Sequence, residues 1–275
     1  MAADTPIPRY GVHRQSAPAD GIAEASESLR LLGYAVLASG IGASELGALR
    51  TKFDAVREAV LREHGADALR AINEHNTIRC PLAHDRAFLD LARCAPVLGL
   101  CEAMLGPGFI LNQQNGVVNP ANEARYSQGA YHRDLPYQHF TSSRPIAINA
   151  LFCLDDFTAD NGATLVVPAS HKEEALPSDP LIQASERGLE APAGSFLVLD
   201  AMTYHRGGPN RTARDRRAVN HVYSIGLLRQ QIDLPAYLGD KYPADARERQ
   251  FLGYDYRSPV SDADYYSGRR RKLGL

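Results

Sequence analysis

The sequence lacks a strong net charge and any long apolar run, and each absence excludes a class of protein. The 275 residues include 30 lysines and arginines against 32 aspartates and glutamates, a formal net charge of −2. This balance excludes the electrostatic footprint of a general nucleic-acid-binding protein. The uncharged stretch from Leu31 to Ser44 contains three glycines and is shorter than the roughly 20 apolar residues that cross a bilayer. We therefore expect neither nucleic acid nor a membrane as a partner.

The start of the chain and the cysteines also lack the patterns of an exported protein. Residues 1–8 contain an acid and two prolines, but no basic segment followed by an apolar run, so no signal peptide is expected. No C-x-x-C pair is formed by the four cysteines, which are Cys80, Cys94, Cys101 and Cys153. Reduced, buried thiols are the simplest interpretation. We expect a cytoplasmic protein.

What the sequence does contain is an ordinary globular composition, with 44% hydrophobic and 23% charged residues. No internal repeat or low-complexity linker divides it. We predict a single domain with three parts: a helical N-terminal layer over residues 1–108, a β core over 109–228, and a C-terminal tail over 229–275. The tail is rich in Tyr, Asp and Arg. Without a clear period, it is expected to act as a lid or to cover an edge.

Helical periodicity dominates the first third. A short strand is predicted at Tyr34 to Leu37, and Ser44 is expected to cap the next helix. The apolar residues of this helix recur every three or four positions and so lie on one face; they are Leu46, Leu49, Phe53, Val56 and Val60. The helix should end near Gly65. Residues 66–84 look polar and irregular. A second helix is predicted from Phe88 to Met104, broken or kinked at Pro96.

The pattern changes after residue 108, where short apolar or alternating runs are separated by turn residues. We predict strands in six segments, which are 109–118, 129–134, 145–157, 164–167, 194–200 and 216–228. Strands at such spacing favour an antiparallel sandwich or barrel. The expected fold class is α+β, with helices packed on one sheet of the β core.

One H-x-D motif lies in this β region, at His132 and Asp134. Alternation along a strand would point both side chains to the same face, where they form two thirds of a facial metal triad. A strand-edge histidine with a surface aspartate is the alternative explanation. His205 follows a predicted core strand and could complete the triad, while Arg216 begins another strand and could bind a carboxylate through its fork.

These residues resemble those of the phytanoyl-CoA dioxygenase family. Besides His132, Asp134, His205 and Arg216 in order, the chain carries Asn161-Gly162-Ala163-Thr164-Leu165-Val166-Val167-Pro168-Ala169-Ser170-His171. This segment is similar to the family pattern N-G-x-x-x-x-x-P-G-S-H, with Ala169 in place of a glycine. The resemblance covers residues 33–228. It implies a double-stranded β-helix, also called a jelly roll, with N-terminal helices against one sheet.

The resemblance also implies a cofactor set and a reaction. His132, Asp134 and His205 match the family's Fe(II) ligands, Arg216 matches the arginine that pairs with 2-oxoglutarate, and Asn119 matches a second cosubstrate-binding position. O₂ would be the other cosubstrate, and ascorbate could support activity. The carboxylate of Asp134 stands where halogenases of the superfamily carry a small residue. We therefore expect hydroxylation or a related C–H oxidation, such as desaturation, of a small-molecule metabolite, with release of succinate and CO₂.

Substrate contacts are predicted on the loop after the H-x-D motif, at Tyr137, Gln138, His139 and Arg144. They hint at a polar substrate from natural-product or secondary metabolism. Two other functions keep the jelly roll: a cupin-type metal-dependent isomerase or hydrolase, which would not need Arg216, and a non-catalytic binding module. The sequence leaves the oligomeric state open.

Overall fold

The computed structural model describes residues 7–121, 127–243 and 245–275. The start of the chain that was searched for a signal peptide, residues 1–6, lies outside the described residues. In chain order, the α-helices are α1 (Gly21–Leu32), α2 (Ala43–His64), α3 (Ala66–Ala71), α4 (Arg86–Ala92), α5 (Ala95–Leu105), α6 (Asp179–Ser185), α7 (Leu234–Leu238), α8 (Ala246–Phe251) and α9 (Asp262–Leu273). Strands are β1 (Tyr34–Ala38), β2 (Thr77–Arg79), β3 (Ile110–Asn119), β4 (Ala147–Cys153), β5 (Thr164–Val166), β6 (Arg187–Leu189), β7 (Ser195–Asp200), β8 (His205–Gly207) and β9 (Arg216–Ser224).

Two antiparallel sheets form the β core. The major sheet has six strands in the order β1-β7-β4-β9-β3-β2, and the minor sheet has three in the order β6-β5-β8. An isolated antiparallel bridge pairs His132 with His205, on the side of β8 away from β5. Both sheets pair strands that are not consecutive in the chain. This strand order is typical of the predicted jelly roll, and the fold class is confirmed.

The major sheet separates two different interiors. Residues on one face, such as Phe152, Phe196 and Tyr223, join the large core beneath the helices. The alternate residues of the same strands, including Asn149 and Leu197, line a cavity between the two sheets. Because side chains alternate along a strand, each of these strands contributes to the helical core and to the cavity.

The helical layer follows the predicted periodicity. The buried residues of α2 are the five apolar residues of the predicted face, and its C-terminal cap is Gly65. Gly65 has φ of +79°, a left-handed conformation that favours glycine. The helix before it in the chain, α1, ends at Gly33, and β1 follows at the predicted position.

Several local predictions were wrong. Ser44 lies inside α2, whose N-terminal cap is Gly42. Residues 66–84 contain α3 and β2 instead of an irregular stretch. The break expected at Pro96 is confirmed: the second predicted helix consists of α4 and α5, and Pro96 stands in the first turn of α5, where its missing N–H costs no hydrogen bond. The segment 129–134 makes only the His132 bridge, and the tail folds into α7, α8 and α9.

All four cysteines are free, and three of them are buried. Burial raises the pKa of Cys80 to about 11 and that of Cys153 to about 12, so both remain protonated, inert thiols near neutral pH. Among the described helices, none combines the length and the apolar character that crossing a membrane requires.

Candidate active site

The two predicted ligand histidines face each other across a minimal β pairing. His132 N donates to His205 O at 3.0 Å, and His205 N donates to His132 O at 3.1 Å. Their rings lie 4.4 Å apart between centroids. Asp134 lies on the same side, with its Oδ1 3.8 Å from His205 Nε2. One possible ligand atom from each of the three residues lies within 4.8 Å of the others, and no other such cluster occurs in the described ranges.

Hydrogen bonds fix the orientation of both imidazoles. His132 Nδ1 lies 2.9 Å from the carbonyl oxygen of Ala130, and His205 Nδ1 lies 2.9 Å from that of Thr203. A carbonyl can only accept, so each Nδ1 carries the proton and each Nε2 keeps a lone pair. Burial lowers the pKa of His205 and favours its neutral form, although the Asp134 carboxylate opposes the shift. Both rings therefore present the nitrogen that divalent metals bind.

The third member of the cluster is oriented by Asn149 on β4. Asn149 Nδ2 donates to Asp134 Oδ2 at 2.7 Å. This contact occupies one carboxylate oxygen and leaves Oδ1 facing His205. The same hydrogen bond fixes the orientation of the Asn149 carboxamide. In the part of the chain that the structure describes, the Oδ1 of Asn149 is buried without a hydrogen-bond partner.

Arg216 lies in the same cavity, at the first position of β9. The residue is only 3% exposed, and its guanidinium stacks on Phe157 with Cζ 3.8 Å from the ring centroid. The cavity wall between Arg216 and the histidines combines apolar with amide and hydroxyl side chains, which are Val117, Gln128, Asn149, Leu151, Thr164, Leu197, Leu199 and Asn220. The structure thus brings His132, Asp134, His205 and Arg216 together around one cavity.

Asn119 lies beside this cavity but does not line it. The residue pairs with Arg216 across β3 and β9. Its Nδ2 donates to the carbonyls of Gly162 at 3.2 Å and Gly208 at 2.9 Å, so both amide hydrogens are engaged by the backbone. This geometry favours a role in holding two loops, and a direct role in cosubstrate binding stays a prediction.

The four residues predicted to contact substrate lie on the loop between the H-x-D motif and β4. Tyr137 is 63% exposed and stacks on Phe140, while His139 and Arg144 are also exposed. Gln138 accepts hydrogen bonds from Arg133 through its backbone and side-chain oxygens. None of the four lines the cavity. Their substrate role stays a prediction.

Sequence reasoning missed three polar residues of the cavity wall, Gln128, Asn149 and Asn220. A signal for the last two was present, because Asn149 and Asn220 interrupt otherwise apolar strands at inward-facing positions. Two histidines outside the cluster have structural positions. His171 lies in a 3-10 turn, and the buried His221 donates from Nδ1 to Ala150 O at 3.1 Å.

The family model of phytanoyl-CoA dioxygenase (PhyH) matches residues 29–218 of the chain. The chain is 30% identical over 256 residues to the uncharacterized protein Rv1501 of Mycobacterium tuberculosis, an alignment that covers 91% of this chain and 93% of that protein. It is 34% identical over 92 residues to the iron/alpha-ketoglutarate-dependent dioxygenase penM of Penicillium thymicola, covering 31% of this chain and 29% of penM.

Solved structures share the fold. EctD from S. alaskensis, in a crystal structure with 2-oxoglutarate and 5-hydroxyectoine, matches with a TM-score of 0.61 and 20% sequence identity. The match covers 77% of this chain and 78% of EctD. The similarity therefore includes the jelly-roll core and extends beyond it.

Proposed function

The chain belongs to the phytanoyl-CoA dioxygenase family, and from this premise we propose that it oxidises a C–H bond of a small-molecule metabolite. It is an Fe(II)- and 2-oxoglutarate-dependent dioxygenase. The observation that carries the proposal is the cluster of two oriented imidazoles and one carboxylate in a cavity that also contains Arg216. We also propose that the chain folds as one domain.

His132, Asp134 and His205 are suited to hold Fe(II). The hydrogen bonds of Nδ1 leave Nε2 of both histidines free of a proton, one possible ligand atom from each of the three residues lies within 4.8 Å of the others, and a 2-His-1-carboxylate set is the donor combination typical of non-haem iron oxygenases. Such a set leaves coordination positions for other ligands. Bound iron would supply the redox chemistry, in which oxidative decarboxylation of 2-oxoglutarate to succinate and CO₂ is coupled to substrate oxidation by O₂.

Arg216 is suited to bind the distal carboxylate of 2-oxoglutarate. Its charge is buried and lies over the Phe157 ring, which restricts the positions that the guanidinium can take. A planar guanidinium pairs with a carboxylate through two parallel hydrogen bonds. The apolar lining of the cavity, for example Val117 and Leu197, excludes water from this pair and strengthens it. Asn119 would then act as a positioning residue that fixes the two loops beside Arg216.

For the substrate, we propose a polar metabolite of secondary metabolism. The cavity wall mixes leucine and valine side chains with three amides, which does not suit a plain hydrocarbon chain. EctD, which shares the fold, was crystallised with the polar solute 5-hydroxyectoine. The loop after Asp134, which carries Tyr137 and Arg144, offers further exposed polar groups.

The test is an assay of succinate formation by purified protein with Fe(II), ascorbate, O₂ and 2-oxoglutarate, in parallel with titration by redox-inert metal ions. We expect wild type to bind Mn(II) and 2-oxoglutarate and to form succinate. The double variant Asp134→Ala, His205→Ala should lose Mn(II) binding. Unchanged metal affinity in this variant would refute the site. A cupin-type isomerase or hydrolase would instead bind metal but not 2-oxoglutarate.

A further inference from the structure

Both candidate ligand histidines stand at the centre of the same tripeptide, Tyr-His-Arg. The first copy is Tyr131-His132-Arg133 and the second is Tyr204-His205-Arg206. Since His132 and His205 are directly paired and antiparallel, the tyrosine of each copy lies opposite the arginine of the other. Alternation places these four side chains on the face away from the metal ligands.

The first opposed pair is Tyr131 and Arg206. The Arg206 guanidinium lies over the Tyr131 ring, with Cζ 5.2 Å from its centroid. Glu186 joins the two: it accepts from Arg206 Nε at 3.1 Å and from Nη2 at 3.2 Å, and it also accepts from the Tyr131 hydroxyl. Arg206 and Glu186 are largely buried, with side chains 27% and 23% exposed.

The second opposed pair is Arg133 and Tyr204. Arg133 is 2% exposed, and its Cζ lies 4.0 Å from the Tyr204 ring centroid. The guanidinium also donates to backbone carbonyls of the turn at residues 170–174, at 3.0 Å to Ser170 and 3.1 Å to Glu174. The Tyr204 hydroxyl donates to the same Glu174 carbonyl at 3.0 Å. A lysine is not equivalent here, because its compact ammonium has three donors on one atom, whereas the planar guanidinium lies over the ring and spreads its donors over separate carbonyls.

The two tyrosine–arginine pairs are needed because the backbone pairing of His132 with His205 is weak. Between His132 and His205 the bridge has only two hydrogen bonds, and it continues into no ladder at this point. A one-residue slip of the segment around His132 would turn that ligand away from the cavity, while His205 stays held by the pairing of β8 with β5. Arginine over an aromatic ring is an attractive cross-strand pair, and two such pairs on either side of the bridge oppose a slip in both directions.

We propose that the two Tyr-His-Arg tripeptides form a reciprocal clamp that holds His132 and His205 in register and thereby sets the affinity of the site for its metal. This inference rests on the proposed function, because it takes the two histidines as metal ligands. Tyr131, Arg133, Tyr204 and Arg206 are positioning residues: they act through the backbone of the histidines between them and touch neither metal nor cosubstrate.

The test measures Mn(II) or Co(II) dissociation constants, since activity alone would not separate positioning from folding. Arg206→Met and Tyr131→Leu should each weaken binding about tenfold, as loss of outer-shell partners does at other metal sites. The double variant should be no weaker than either single one, because each change removes the same pair. The exchange Tyr131→Arg with Arg206→Tyr restores an opposed pair beside Glu186 and should recover affinity to within about threefold of wild type. Tyr131→Phe keeps the ring and should lose less than Tyr131→Leu, which provides a milder variant if others fold poorly.

A matched control lies in the helical layer. Arg86 is placed over Tyr242, with Cζ 5.5 Å from the ring centroid, and its Nη2 donates to Glu248 at 2.7 Å. Arg86→Met thus removes an arginine that lies over a tyrosine ring and binds a glutamate, among residues that do not line the cavity, and should lower the melting temperature without changing metal affinity. The clamp is refuted if Arg206→Met binds metal as wild type does, if the two single effects multiply, or if Arg86→Met weakens binding equally. Wild type that binds no metal would instead overturn the metal site itself, and the clamp with it.

Discussion

The hydrogen bond from Asn149 to Asp134 gives a prediction with a definite magnitude. Asn149→Leu keeps the side-chain size and removes the donor that lies 2.7 Å from Asp134 Oδ2. A buried hydrogen bond to a charged group contributes about 1.5–3 kcal/mol. If the loss of this energy weakens metal binding in full, the affinity for Mn(II) should fall about 10- to 100-fold. This is also the usual effect of replacing a residue that hydrogen-bonds to a metal ligand.

The assay is calorimetric titration of the purified protein with Mn(II), for wild type and variant, at one pH and ionic strength. Asn220→Leu is the matched control. Asn220 also lines the cavity, and the described hydrogen bonds of Asp134 do not include it, so its variant should bind Mn(II) within about threefold of wild type. Affinity of Asn149→Leu within twofold of wild type would refute the reasoning. An equal loss in Asn220→Leu would mean that cavity polarity, and not the oriented carboxylate, controls the metal.

Three further predictions concern the cosubstrate, pH and a loop. Arg216→Met should weaken 2-oxoglutarate binding to the Mn(II)-loaded protein by about 30-fold or more, as expected for one partner of a buried charge pair, and leave Mn(II) affinity unchanged; equal 2-oxoglutarate affinity in both proteins would contradict this. Burial raises the pKa of Asp200 to about 6 from 3.8, so its stabilising contribution is present below about pH 4 and is lost as pH rises through 6. Asp200→Asn should therefore be more stable than wild type at pH 8 by about 1–3 kcal/mol in urea unfolding, with the difference shrinking towards pH 4; a difference independent of pH would disprove the assignment. Gly162 has φ of +82°, and an added Cβ would meet the Asn119 side chain, so Gly162→Ala should cost about 1–3 kcal/mol in the same assay; wild-type stability would be inconsistent with the loop contact.

Elements with a repeated period were predictable from the sequence. The face of α2 and the strands β3 and β7 contain enough residues to display helical or alternating patterns, and the structure has them within one or two residues. The family resemblance predicted the cluster of His132, Asp134 and His205, whose possible ligand atoms the fold brings to within 4.8 Å of one another.

Very short strands, the extent of β pairing along a segment and the hydrogen-bond partners of single side chains were not predictable from the sequence. Strands β6 and β8 have three residues each, too few to show alternation. The H-x-D segment looks like a strand but forms one bridge, because its neighbours turn outward into loops. Asn119 matched a cosubstrate position by its distance from His132. Only the structure shows that loop carbonyls occupy its amide hydrogens.

The two-sided major sheet has a consequence for how the chain can change in length. In β9, Arg216 and Asn220 face the cavity, while Val219 and Tyr223 face the helical core. Deleting or adding one residue within such a strand exchanges the two sets, so the same event would bury a guanidinium among helices and push an aromatic ring into the cavity. Insertions and deletions should therefore be tolerated in the connections between strands, such as residues 139–146 and 175–178, and new specificities would arise there while the strands keep a constant length.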